Sequence, residues 1–222
     1  MAMNKVPTLI LGLGGIGCQI AAEISDKLSD EDRKYVGVVG MDTNVNDLKK
    51  LKEHGVKSIQ TSDQRLVKEY LELHPEYIKW FPINKFTVNR GMVNGAGQIR
   101  AISRLAGLAT QERGGFQVLD EEIRRILRLK GDDNNGNLTV MIVGSITGGT
   151  GAGLFLQMPF YIRNLLKHEA NLDAVVIRGM FVGPDITAGV QPSKINEEAV
   201  RVNGYTCLKE LKCILYDTDF AR

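Results

Sequence analysis

Cysteine is scarce in this sequence, and the three it has, Cys18, Cys207 and Cys213, stand at no metal-ligand spacing. Scattered thiols in odd number make neither a disulfide framework nor a zinc site. Histidine is as sparse: His54, His74 and His168 stand apart, with no serine or cysteine partner pattern around them. Long apolar runs are missing, and none approaches the ~20 residues that cross a bilayer, so no membrane partner is expected. No secretory core opens the chain, because Pro7 and the strand-like "TLILGLG" follow too soon. A reduced, cytoplasmic protein is expected. An excess of one charge is also lacking. The net charge of +2 makes no electrostatic case for nucleic acid or an acidic partner. The basic stretch "RRILRLK" (Arg124–Lys130) is expected to be a solvated helix face. There is no low-complexity segment and no repeat of fixed period.

What is present is ordinary globular material, 43% hydrophobic and 24% charged, in a length of 222 residues that can bury a substantial core. Strands are predicted at "PTLILGLG", "YVGVVGMD", "NLTVMIVGS" and "AVVIRGMFVG", with a short one at "SIQ" and a last one at "KCILYD". Helices are predicted between them. Ile16, Ile20, Ile24 and Leu28 recur at helical spacing after the first strand, and "NDLKKLKEHG" ends at Gly55, where glycine is favoured. Further helices are predicted over "QRLVKEYLELH", "GQIRAISRLAGLATQER", "FQVLDEEIRRILRLK", "GLFLQMPFYIRNLLKH" and "INEEAVRVNGYTCLKEL", while Tyr77–Asn94 is mostly irregular and "GDDNNGN" is a polar turn. Strands alternating with helices imply an α/β fold, a Rossmann-like parallel sheet with helices on both faces. In such sheets ligands bind at the carboxyl ends of the strands.

Glycine is concentrated at two of those ends. "GLGGIGCQ" (Gly12–Gln19) follows the first strand, and its Gly12, Gly14 and Gly17 fit the dinucleotide fingerprint, with Asp42 ending the second strand. This pattern suits a Rossmann dehydrogenase, and it suits an ATP-dependent adenylating enzyme of the ubiquitin-activating type better. "SITGGTGAG" (Ser145–Gly153) places four glycines within six positions before a helix. It lacks the lysine of a Walker A loop, so a phosphate there must be held by backbone N–H groups and hydroxyls.

Four stretches carry a family resemblance. "SITGGTGAG" resembles the tubulin signature "SLGGGTGSG", with Thr147 in place of a glycine; "GGIGCQIA" resembles the tubulin loop "GQxGxQIG", with Gly15 in place of a glutamine. "MDTNVNDL" is similar to "VNTDAQAL" of the division protein FtsZ, and "GAGQIRAISR" resembles the "GAGNNWAKG" and "GAGANP" loops of the two families. The chain is identified on these motifs as a tubulin/FtsZ-like protein, of a bacterial tubulin-like branch. The resemblance implies a single nucleotide-binding domain over residues 1–222 that takes GTP or GDP, ATP not excluded, with Mg2+. By position it implies that Gly14, Gly15, Gly17, Cys18 and Gln19 line the diphosphate and sugar-base end. Asp42 and Asn44 would sit near the terminal phosphate and the metal, with Asp42 as metal ligand. Ala96, Gly97 and Gln98 would cap that phosphate, and Ser145, Gly148, Gly149, Thr150 and Gly151 would form the main cradle. Glu197 or Glu198 would reach the ribose. The family's central helix, catalytic loop and second domain follow the last predicted strand and are expected to lie outside this chain. Hydrolysis would then need those parts or a neighbouring subunit, as would self-assembly into filaments. A non-hydrolysing nucleotide-sensing assembly module is the remaining alternative.

Overall fold

In the computed structural model the chain is described over residues 6–93, 95–128, 138–170 and 175–216. The elements in order are β1 (Thr8–Leu13), α1 (Gly14–Lys27), α2 (Asp32–Tyr35), β2 (Val36–Asp42), α3 (Val45–Glu53), β3 (Lys57–Gln60), β4 (Asp63–Leu66) and α4 (Val67–Leu73). There follow α5 (Lys85–Val88), β5 (Gly91–Met92), α6 (Arg100–Glu112), α7 (Gln117–Arg128), β6 (Leu138–Ser145), α8 (Gly149–Leu154), α9 (Gln157–Ala170), β7 (Val175–Val182), α10 (Pro184–Thr187) and α11 (Lys194–Tyr216).

Five strands form one parallel sheet in the order β3-β2-β1-β6-β7. Period-two alternation explains why both faces are covered. Leu9, Leu11 and Leu13 of β1 enter a core with Leu119, Ile123 and Ile126 of α7 and Met158, Ile162 and Leu166 of α9. Ile10, one residue out of step, joins Cys18 and Ala21 of α1 and Leu48 and Leu51 of α3 on the other face. A third cluster, with Tyr70, Phe81, Met92 and Leu105, fastens the 67–109 region beside the sheet.

Two glycines set how closely α1 lies on the sheet. A Cβ on Gly12 would stand 2.3 Å from the Gly17 carbonyl oxygen, and one on Gly17 would stand 2.4 Å from that of Val143. Because β1 pairs β2 on one side and β6 on the other, the chain reverses direction across the sheet between β1 and β6. The ends of β1, β2 and β6, at Leu13, Asp42 and Ser145, open together at that switch point.

Several predicted elements differ in detail. Residues 63–66 pair with β5 as a short antiparallel strand instead of opening α4. Phe155 and Leu156 interrupt the helix expected after the glycine loop, dividing it into α8 and α9. The predicted strand "KCILYD" is a larger correction, because Lys212–Tyr216 continues α11 as helix. A four-residue apolar run does not by itself distinguish strand from helix, and the preceding "LKEL" is strong helix-forming sequence whose hydrogen bonds need no partner strand. Asp217, and the turn "GDDNNGN", lie outside the described residues.

Candidate functional site

At the switch point lies a cavity of about 490 Å3, within the ~300–1,000 Å3 of small-molecule sites. Two glycine turns, packed against each other, line it. Gly14, with φ +73°, starts α1 and comes close enough to the other turn that a Cβ on it would be 3.1 Å from Gly151 N. Beside it, residues 148–151 turn from β6 into α8, and all four line the cavity. Gly151 has no room for a side chain, since its Cβ would meet the Ser145 carbonyl oxygen at 2.2 Å. Gly148 is different: nothing lies within 4 Å of its Cβ position. Unpaired N–H groups at a helix start, bare of side chains, are suited to anions.

The 95–98 loop closes a third side. It carries positive φ at Gly95 (+84°), Gly97 (+53°) and Gln98 (+63°), the last being the single non-glycine residue in that region among the described residues. A Cβ on Gly149 would stand 2.9 Å from Ala96 Cβ, so this loop lies directly on the glycine turn. The Asn203 amide, from α11, donates to the carbonyls of both Gln98 (2.9 Å) and Thr147 (3.0 Å) and ties the two together.

Polar side chains are concentrated at the ends of β2 and β6. Asp42 is 3% exposed, and its Oδ1 accepts from the Asn44 N–H at 3.0 Å and from the Thr150 hydroxyl at 2.9 Å. Burial pushes its carboxyl above the usual range, and the charge of Asp47 adds to this, while the bonds from Asn44 and Thr150 hold it down. Asn44 caps α3 by accepting from Asn46 N–H, and its Nδ2 donates to Asp47 Oδ2 at 3.0 Å. Asp47 Oδ2 lies 3.5 Å from where a Gly15 Cβ would be, so the carboxylate occupies the space beside that glycine. At β6, Ser145 Oγ and Thr147 Oγ1 are 2.6 Å apart, and Thr187 donates to Thr147 at 2.9 Å.

The structure brings together Gly14, Gly15, Asp42, Asn44, Ala96, Gly97, Gln98, Ser145, Gly148, Gly149, Thr150 and Gly151 in this one cavity. It does not bring in Gly17, Cys18 or Gln19. Gly17 packs under β6, and the Cys18 thiol is buried 3.9 Å from Gly12 O and 3.8 Å from Met41 O, with its pKa raised by desolvation. Gln19 lines a neighbouring depression with Glu23, Lys50 and His54. Glu197 and Glu198 also stand away from the cavity; Glu197 pairs with Arg201 one turn on, and Val200 is the α11 residue that lines the site. The sequence reading missed Ile16, Thr43, Asp47, Thr147, Thr187 and Gln191. Thr43 and Asp47 sit within "MDTNVNDL" and Thr147 within "SITGGTGAG"; Thr187 and Gln191 follow β7 in a stretch without any motif.

Among the described residues no group of three or more His, Cys, Asp or Glu side chains could enclose a metal. Asp42 and Asp47 on one cavity fit instead a magnesium ion held by one or two carboxylates and completed by phosphate and water. A second cavity of about 720 Å3, behind α8 and lined by Leu108, Phe155, Phe160 and Ile214 among others, is mainly apolar. No helix among the described residues is long and apolar enough to cross a membrane.

A parallel sheet with two adjacent glycine turns at its switch point defines a Rossmann-like α/β protein with a cavity at the strand ends. The family model described as "Tubulin like" matches residues 9–220, and the chain belongs to that family. No curated protein matches it. Among solved structures, CetZ from Methanosaeta thermophila strain DSM 6194 is similar at 20% identity and a TM-score of 0.49, over 92% of this chain. The chain spans 42% of the length of that one.

Proposed function

We propose that the cavity at the switch point binds a guanine nucleotide, GTP or GDP, with Mg2+. The observation that carries this is the pair of glycine turns, Gly14–Gly15 and Gly148–Gly151, whose bare backbones line one cavity at the start of two helices. Residues lining this cavity include no lysine and no arginine among those described. Phosphate charge would therefore be met by backbone N–H groups, the hydroxyls of Thr147 and Thr150, and a metal held at Asp42 and Asp47. Mg2+ supplies charge neutralisation between phosphate oxygens when bound. Gly148–Gly151 would position the phosphates, and Ala96–Gln98 would close over the terminal one. The same lack of basic residues argues against the adenylating alternative, which needs arginine and lysine around its ATP.

Membership of the family supports guanine over adenine. Hydrolysis is proposed to require an acidic group from outside this cavity, in further parts of a longer protein or in a neighbouring subunit, and self-assembly belongs to the same proposal. The test is to denature freshly purified protein and identify by chromatography what it releases, with titration of GTP, GDP and ATP in Mg2+. Micromolar or tighter binding of guanine nucleotides, and weaker ATP, is expected. Absence of any nucleotide binding would remove the proposal.

A further inference from the structure

The hydroxyls of Thr43 and Thr150 lie 3.0 Å apart and both are buried. Their neighbours favour one direction for the hydrogens between them. The Ala96 N–H can only donate, and it gives its hydrogen to Thr43 Oγ1 at 3.2 Å. An ionised Asp42 can only accept, and it takes the Thr150 hydrogen at 2.9 Å. Thr43 has two acceptors, Asp42 Oδ1 at 3.4 Å and Thr150 Oγ1 at 3.0 Å, and donates to the nearer, Thr150. The outcome is a one-way relay that starts on the backbone of the 95–98 loop, passes through the end of β2 and the glycine turn, and finishes on the buried carboxylate.

The loop at the head of this relay needs holding. Gln98 sits in the left-handed region, where a residue other than glycine persists only when its surroundings impose it. One end is tied by Asn203 through the Gln98 carbonyl, and Ala96, 4% exposed, is tied by Thr43. The relay also has a second arrangement. A ligand oxygen that draws the Thr150 hydrogen frees Thr43 to donate straight to Asp42 Oδ1, now 3.4 Å away. A hydroxyl that donates to a carboxylate is a stronger acceptor for its own partner. Loading the cradle would thus tighten the link to Ala96.

We infer that Thr43 is a positioning residue that holds the 95–98 loop on the cradle and sets how strongly the site prefers a nucleoside triphosphate to a diphosphate. This rests on the nucleotide reading above. Two variants separate hydroxyl from shape: Thr43→Val keeps the branched volume and removes the relay, and Thr43→Ser keeps the relay. In the ligand-free chain, amide exchange at Ala96 is expected to be about tenfold faster in Thr43→Val, the loss of one buried hydrogen bond, and close to wild type in Thr43→Ser. The ratio of dissociation constants for GDP and a non-hydrolysable GTP analogue is expected to fall toward one in Thr43→Val and to persist in Thr43→Ser. Unchanged exchange at Ala96 in the valine variant, or a serine variant as impaired as the valine one, overturns the inference. Faster exchange with an unaltered ratio overturns the specificity it assigns. A wild-type protein that binds no nucleotide defeats the nucleotide reading and the specificity with it, and Ala96 exchange then decides whether Thr43 holds the loop.

Discussion

Glycines that look alike in "SITGGTGAG" have unlike environments, and substitutions should expose this. Gly148 faces open space at φ −82°, so Gly148→Val is expected to fold and to fill the cavity. Nucleotide affinity should fall at least about a hundredfold, while the thermal midpoint shifts by no more than about 2 °C, as for an unstrained surface change. Calorimetric titration beside a thermal melt checks both, and a folded Gly148→Val protein with native affinity would contradict the site. Gly151→Ala must instead push on the Ser145 backbone and is expected to destabilise by about 1–3 kcal/mol. Asp42 gives a prediction with a sign. Its carboxyl is raised by burial first, so the folded protein holds that proton more readily than the unfolded chain. Stability from this group therefore falls as pH rises from the ordinary carboxylate range through the raised value, and stays lower above it. Asp42→Asn is expected to raise the melting temperature of the ligand-free protein at pH 7 and to abolish the Mg2+ dependence of nucleotide binding. A lower melting temperature at pH 7, with lower stability across the acidic range, would show that hydrogen bonding at Asp42 outweighs its desolvation.

Among elements, β4 is held less by its two-stranded pairing than by one carboxylate. Asp63 is buried and takes hydrogen bonds from Arg65 and from Arg113 at the end of α6. The Arg65 bond, ahead of all other influences, brings its pKa down to about 2. That contribution is complete above the unfolded value of 3.8 and is lost as pH falls through about 2. Both arginines are partly exposed, so solvent screening reduces it. Asp63→Asn is expected to lower stability by roughly 1–2 kcal/mol at pH 7 and to leave the acid limb of the unfolding profile shallower between pH 4 and 2. Urea titrations at several pH values measure this, and an unchanged acid limb would assign the acid sensitivity elsewhere. Helix α11 is connected to the site, because Asn203 spans two of the site's loops while Glu210, two turns later, pairs with Arg100.

For the molecule as a whole, the proposed nucleotide binding would be linked to folding stability. A ligand at a hundred times its dissociation constant adds about 2.7 kcal/mol, which in a chain of this size corresponds to roughly 5–10 °C in melting temperature. Thermal scans with Mg2+ and GTP should show this rise, with a smaller one in EDTA. The same chain, even concentrated, is expected to release phosphate far below about 1 s⁻¹, since the described cavity offers no acidic group beyond Asp42 and Asp47. Turnover in the ordinary enzymatic range would place the catalytic group inside these residues.

What the sequence determined by itself were the features carried by local pattern. Apolar runs announced the five strands of the parallel sheet, helical spacing announced α1, α3, α6 and α7, and two glycine clusters marked the turns that the fold packs together. Local pattern failed where a segment's state depends on a partner. Residues 63–66 are a strand only because β5 lies beside them, and 212–216 remain helical because α11 carries them on. It failed also where facing direction matters. Gly14 and Gly17 belong to one fingerprint, yet one opens on the cavity and the other packs beneath Val143, a difference set by how α1 rests on the sheet. Only the tertiary structure decided that Thr43, Thr150, Ala96 and Asp42, drawn from three separated stretches, share a single chain of hydrogen bonds. Hydrogen bonds act over about 3 Å, and distances that short between remote residues exist only after the sheet has brought its strand ends together.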